Sequence, residues 1–188
     1  MSDDNVNLSH QLANTALKLN ETVIGSGDLE VRLIRNNNDE FKFEFVNNSE
    51  LPVNNANITI QYYNEIMKCP VVNETEIHVN IKASCYEGKF NVFYGYNFNP
   101  NGGLLDVHNP HPITNDYMNY AIMIQTRKEY LIYYLVYKKI NKQLVRSDRV
   151  YSLVDDREMI LISENDNLNL TPNFWKENFH GKSLFTVD

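Results

Sequence analysis

"NDYMNYAIMIQTRKEYLIYYLVYKK", residues 115–139, is the stretch that decides the fold. Its first half alternates. Tyr120, Ile122 and Ile124 fall on one side of an extended chain, and Asn119, Ala121 and Met123 on the other, a period of two that predicts a strand. "QTRK" (125–128) is polar and reads as a short turn. The second half, "EYLIYYLVYKK" (129–139), is apolar on both faces, which predicts a central strand or one covered by a helix. The Asp116-Tyr117 pair in front reads as punctuation, the turn into a strand.

The same alternation runs upstream. "DLEVRLIR" (28–35) places Leu29, Val31 and Leu33 together, and "EFKFEFV" (40–46) places Phe41, Phe43 and Phe45 together. The asparagines between them make a hairpin turn by composition. "NITIQYY" (57–63), "EIHVNIK" (76–82) and "KFNVFYGY" (89–96) supply three more strands, with Glu87-Gly88 expected as the turn joining the last two. Phe90, Val92, Tyr94 and Tyr96 are expected on one face. "GGLLDV" makes a short strand, and "LVRSDRVYSLV" and "EMILIS" a further strand or two.

Helical signals sit at the ends. "LSHQLANTALKL" (8–19) spaces Leu8, Leu12, Ala16 and Leu19 on one side. "TPNFWKENFHG" carries Thr171 as N-cap, Pro172 at the first helical position and Gly181 as the stop, with Trp175 and Phe179 placed to dock it. The expectation is an all-β chain in a single domain, 1–188. A tail and short helix fill 1–24, an antiparallel meander of about eight strands fills 25–163, and a helix and tail fill 164–188. A meander of that size closes into an up-and-down barrel or splits into a β-sandwich.

Composition bounds the function. The chain has 188 residues, 43% of them hydrophobic, and a formal charge of -7. That is enough apolar material for a core, and the acidic balance argues against a nucleic-acid footprint, which needs a basic face. No uninterrupted apolar run reaches the roughly 18 residues of a membrane-spanning helix. The opening "MSDDNVNLSH" is too polar for a signal peptide. Asparagine is abundant, as an AT-rich genome would make it. It creates sequons at Asn7, Asn20, Asn47, Asn57, Asn73 and Asn169, candidate glycan sites if the chain is secreted. Cys69 and Cys85 flank an expected strand. They are either a disulfide, which implies an oxidising compartment, or two unrelated thiols.

Reactive motifs are missing. There is no glycine-framed serine, no phosphate loop, no paired-cysteine motif and no dinucleotide fingerprint. His108 and His111 lie three apart with Asp106 and Asp116 near, but their proline-rich context reads as a polar loop rather than a metal site. The expectation is therefore not an enzyme, with a barrel isomerase or lyase as the weak alternative, no metal and no required cofactor. Large apolar and aromatic residues on the inner faces either fill a core or line a cavity with an apolar body and a few polar tips.

"KFNVFYGY", "GGLLDV", "NDYMNYAIMIQ" and "EYLIYYLVYKK" together resemble the later strands of a lipocalin, with Asp116-Tyr117 and Tyr120-Ala121-Ile122 fitting that family's central pattern. "MILISENDNLNLTPNFWKENFHG" is similar to the family's last strand and the helix after it. The family's Gly-x-Trp opening is absent: "GSGDLEV" has glycines without tryptophan, and Trp175 is the single tryptophan. The arginine that packs on that tryptophan has three candidates, Arg146, Arg149 and Arg157. The resemblance implies a barrel with one open mouth, a secreted or exported protein, lumenal or vacuolar, and a bound hydrophobic ligand such as a lipid, retinoid, sterol or haem-like molecule. The asparagine bias suits a divergent protist member, of apicomplexan type.

On that reading the barrel interior is Phe41, Phe43, Ile60, Tyr62, Val79, Phe90, Val92, Tyr94, Tyr120 and Ile122. A neutral or cationic ligand is expected unless Arg32, Arg35 or Lys82 points inward. A homo-oligomer is expected from the doubly apolar strand. The competing reading is a secreted viral or parasite interaction protein, a filled β-sandwich that grips a protein partner through its asparagine-rich loops.

Overall fold

The computed structural model describes residues 11, 14–15, 28–35, 41–74, 78–86, 89–109, 116–154, 158–179 and 184–187. They are all-β in character and, with one exception, antiparallel. They divide into two compact units. The first takes the described residues up to Ala56, with 95–109 and 126–128, and the second takes the remainder.

In the first unit, β1 (Leu29–Arg35), β2 (Phe41–Asn47) and β7 (Gly103–His108) form a three-stranded sheet in the order β1-β2-β7. The predicted alternation sets its register: Val31 lies opposite Phe45, and Phe43 opposite both Leu33 and Val107. Val31, Phe43 and Phe45 are fully buried, as the shared face required. The other face carries charge, where Lys42 bonds to Asp106 across the sheet and to Glu44 at 3.2 Å. Asn47, 0% exposed, ties the unit's loops together. Its Nδ2 donates to the Leu51 and Asn99 carbonyls, and its Oδ1 accepts from the Ser49 backbone and hydroxyl. Asn101 and Gly102 then turn the chain through positive φ, with the Gly102 N–H donating to the Asn47 carbonyl at 2.7 Å.

The larger sheet has six strands in the order β11-β10-β9-β8-β3-β6. These are β3 (Val53–Tyr62), β6 (Phe90–Phe98), β8 (Met118–Gln125), β9 (Tyr130–Ile140), β10 (Gln143–Val154) and β11 (Glu158–Asp166). From β8 to β11 neighbours in sequence are neighbours in space, as a meander requires. β9 and β10 are joined by Asn141 and Lys142, both at positive φ, the two-residue turn whose twist matches that of the strands. β9 is buried on both faces from Leu135 to Tyr137, so the doubly apolar run is a central strand as expected.

Beyond β8 the simple meander ends. β3 pairs with β8, and β6 lies on its far side. The turn expected at Glu87-Gly88 falls on residues outside the described ones. The strand before it, β5 (His78–Ile81), does not pair with β6 at all. It runs into a helical turn, α2 (Ala83–Tyr86), and joins a separate sheet in the order β12-β5-β4, with β4 spanning Val71–Glu74 and β12 spanning Leu184–Val187. β12 and β5 are parallel, the one exception noted above. Cys69 and Cys85 form a disulfide, Cα–Cα 5.7 Å, and the segment between them doubles back with β4 antiparallel to β5. Among the described residues the sheets are open, with β11 and β6 at the edges of the largest.

One face of the six-stranded sheet is covered within its own unit. α1 (Tyr63–Ile66) follows β3 without a loop and buries Tyr63 and Ile66. The C-terminal α3 (Pro172–Asn178) has the frame predicted for it, with Thr171 Oγ1 accepting from the Phe174 N–H at 3.2 Å and proline opening the first turn. Its Trp175, with Phe179 just beyond, packs in the same core as Ala121, Met123, Tyr134 and Val136. The predicted stop, Gly181, lies outside the described residues, as does most of the 8–19 helix. Of that segment Gln11, Asn14 and Thr15 are helical.

Candidate functional site

The opposite face of the same sheet gathers part of the predicted interior. In antiparallel strands, residues directly opposite share a face. Ile60 lies opposite Ile122 and Tyr62 opposite Tyr120 on β3 and β8. Tyr120 faces Leu135 on β9, and Tyr137, two residues on, faces Arg146 on β10. The result is a diagonal run of phenols: Tyr62 and Tyr120 have ring centroids 5.2 Å apart, and Tyr120 and Tyr137 6.2 Å apart. Around it Ile58, Ile60, Ile122 and Leu135 are buried.

The run ends in charge. Arg146 Nε donates to Asp148 Oδ1 at 2.7 Å, and both lie on this face, two residues apart on one strand. The Asp148 side chain is 9% exposed and that of Arg146 28%. Burial works against the guanidinium charge. The Tyr137 hydroxyl beside it and the Asp148 carboxylate outweigh that, so Arg146 holds its proton above the ordinary arginine value. The pair cancels its own charge, so this end of the face is polar and close to neutral. Burial also pushes the Tyr62 hydroxyl up, with Glu65 adding to it. The Tyr62 phenol is therefore a neutral group able to donate and accept.

Four of the ten predicted lining residues, Ile60, Tyr62, Tyr120 and Ile122, stand together here. The other six lie on other elements. Phe43 is buried and Phe41 half-buried on β2 in the first unit. Val79 is buried in the core on the other side of the six-stranded sheet, with Tyr63 and Phe179. Phe90 opens β6, its side chain outside the described part, and Val92 is half-buried. Tyr94 is 80% exposed. Gly95, between Tyr94 and Tyr96, sits at φ +63, a conformation open to glycine. Arg32, Arg35 and Lys82 are all exposed, so none of the three supplies an inward charge. His108 is exposed on β7, and His111 lies outside the described residues.

Sequence reasoning missed Tyr137, Arg146 and Asp148. Tyr137 sat in a run apolar on both faces, where nothing distinguishes the sides. In the sequence Arg146 stands out only as a candidate tryptophan partner, and only the pairing of β9 with β10 places it and Asp148 beside a buried phenol.

The covered face holds a second constellation. Trp175 stacks on Phe179 and Phe179 on Tyr134, with centroids 5.5 and 4.6 Å apart. The Arg149 guanidinium lies over the Trp175 ring at 4.8 Å and pairs with Glu164 at 2.7 Å. Of the three arginines weighed for a tryptophan partner, Arg149 is in contact, and Arg157 lies outside the described residues. A cation on an indole face is worth about 1 kcal/mol or more as water is excluded, so this reads as a clamp on α3. Compared with known proteins, the chain matches no family model, no curated protein and no solved structure. No helix among the described residues is long and apolar enough to cross a membrane.

Proposed function

We propose that this chain binds a small hydrophobic molecule with a neutral, hydrogen-bonding head on the face that carries Tyr62, Tyr120 and Tyr137. The observation behind this is the run of three phenols across β3, β8 and β9, ending at the self-neutralised Arg146–Asp148 pair. Apolar contact from Ile60, Ile122 and Leu135 suits a hydrocarbon or ring body, and the phenols and ion pair suit a hydroxyl or carbonyl at one end. A free carboxylate fits less well, because Asp148 already occupies Arg146. The lipocalin-like, up-and-down barrel belongs to this proposal, supported by the sequential pairing of β8 to β11. So does export to an oxidising compartment, which the Cys69–Cys85 disulfide supports.

Native mass spectrometry beside a denatured control, on protein from its own source or a eukaryotic host, tests the reading. The expected result is a retained non-covalent mass of a neutral lipid, sterol or retinoid class. A bare chain that also takes up no member of a fluorescent fatty-acid, retinoid, sterol and haem panel would reject it, leaving a filled core.

A further inference from the structure

We propose that β11 is a docking edge for an extended segment of a partner protein, apolar in its middle and basic at its ends. The proposal is independent of the ligand on the sheet face.

β11 closes one side of the six-stranded sheet, with β10 on its inner edge and no strand on its outer edge among the described residues. An edge strand offers a row of backbone donors and acceptors, and proteins blunt such rows by shortness, proline, lysine, kinks or bulges. The other edges here are shorter or carry such features. β4 and β12 have four residues each, β6 holds Gly95 at positive φ, β1 carries the Glu30–Arg32 pair, and β7 has six residues with Asp106 and His108 exposed. β11 has nine residues, without proline or lysine. Its one irregularity is a bulge at Ile162, between the Val150–Ser163 and Tyr151–Leu161 pairs. Around that bulge three successive aliphatics are exposed: Ile160 at 44%, Leu161 at 43% and Ile162 at 54%. They leave both faces of the edge apolar, where a protected edge would be charged.

Charge selects the occupant. The ends of β11 carry Glu158, Glu164 and Asp166, with no basic residue between them. Arg149 on β10 already pairs with Glu164, so Glu158 and Asp166 set the charge at the two ends. A second copy pairing antiparallel on this edge must match residues about a two-fold axis. Centred on Ile162, that places Glu158 opposite Asp166. Like charges directly opposite destabilise a strand pair. A foreign strand with lysine or arginine at those positions reverses the sign, and its aliphatic middle covers Ile160 to Ile162. Main-chain hydrogen bonds would then give affinity, and the flanking charges register.

The probe is a short labelled peptide of alternating valine and threonine with lysines at both ends, read by fluorescence anisotropy. Controls are the same peptide ending in glutamates, and one with N-methyl groups on alternate amides. The lysine-ended peptide is expected to bind about tenfold more tightly than the glutamate-ended one, and less tightly as salt rises. The N-methylated peptide is expected to lose binding. Leu161→Lys, at an exposed position, is expected to abolish binding without changing the far-ultraviolet circular dichroism. Equal affinity for both charge types, binding that survives N-methylation, or no binding at all would each overturn the proposal. So would light scattering showing a dimer that Leu161→Lys dissociates, since the edge would then belong to a second copy.

Discussion

At the scale of single residues, similar aromatic side chains have opposite duties according to their surroundings. Phe43 is 1% exposed in the core of the first unit, while Tyr120, equally buried, sits in the phenol run. Phe43→Ala should cost roughly 3–5 kcal/mol, read by urea unfolding. Tyr120→Ala should change which ligands are retained, and a variant that loses stability but keeps the same selectivity would count against the binding face. Tyr134 makes a sharper test. Burial pushes its hydroxyl well up, against a hydrogen bond with Tyr63 that works the other way. In the unfolded chain a tyrosine releases its proton near pH 10, while the folded chain still holds it. The folded state thus binds more protons above that pH, so stability is complete below about pH 10 and falls as pH rises further. Thermal melting between neutral and strongly alkaline pH should show that fall, and Tyr134→Phe should flatten it.

At the scale of elements, strands and the last helix were legible because each signal is local. Period two in "DLEVRLIR" and "EFKFEFV" set both the strands and their buried faces, and Thr171-Pro172 set where α3 begins. Thr171→Ala removes the side-chain acceptor for the Phe174 N–H and should cost about 1 kcal/mol, checked by the shift in urea midpoint. Strand order was not legible. β3 reaches β8 across more than fifty intervening residues, and nothing in either strand's pattern names its partner. Alternation groups residues on a face without saying what covers that face, and Tyr94 is 80% exposed against expectation. The polar end of the candidate site was hidden for the same reason: Arg146 and Asp148 acquire meaning from β9, not from their own neighbours in sequence.

At the scale of the whole molecule, the covalent link matters most. The disulfide joins residues 16 apart and encloses β4 and β5, and β5 in turn carries the C-terminal strand β12. Replacing both cysteines with serine should cost about 3 kcal/mol by the chain-entropy account. Hydrogen exchange should show β12 loosening along with the loop, whereas protection lost evenly over all strands would argue against that coupling. Export would also sort the sequons: Asn73 and Asn169 are exposed and can carry glycans, while Asn47 is sealed in and cannot. The tight turn at Asn101-Gly102 has a further consequence, for chemical ageing. Asparagine before glycine deamidates when the glycine nitrogen attacks the side-chain amide. Here that nitrogen is engaged with the Asn47 carbonyl, so the folded protein should age slowly at this bond. Aspartate or isoaspartate appearing at position 101 would then record how often the turn comes open, and stored samples would carry a chemical log of their own local unfolding.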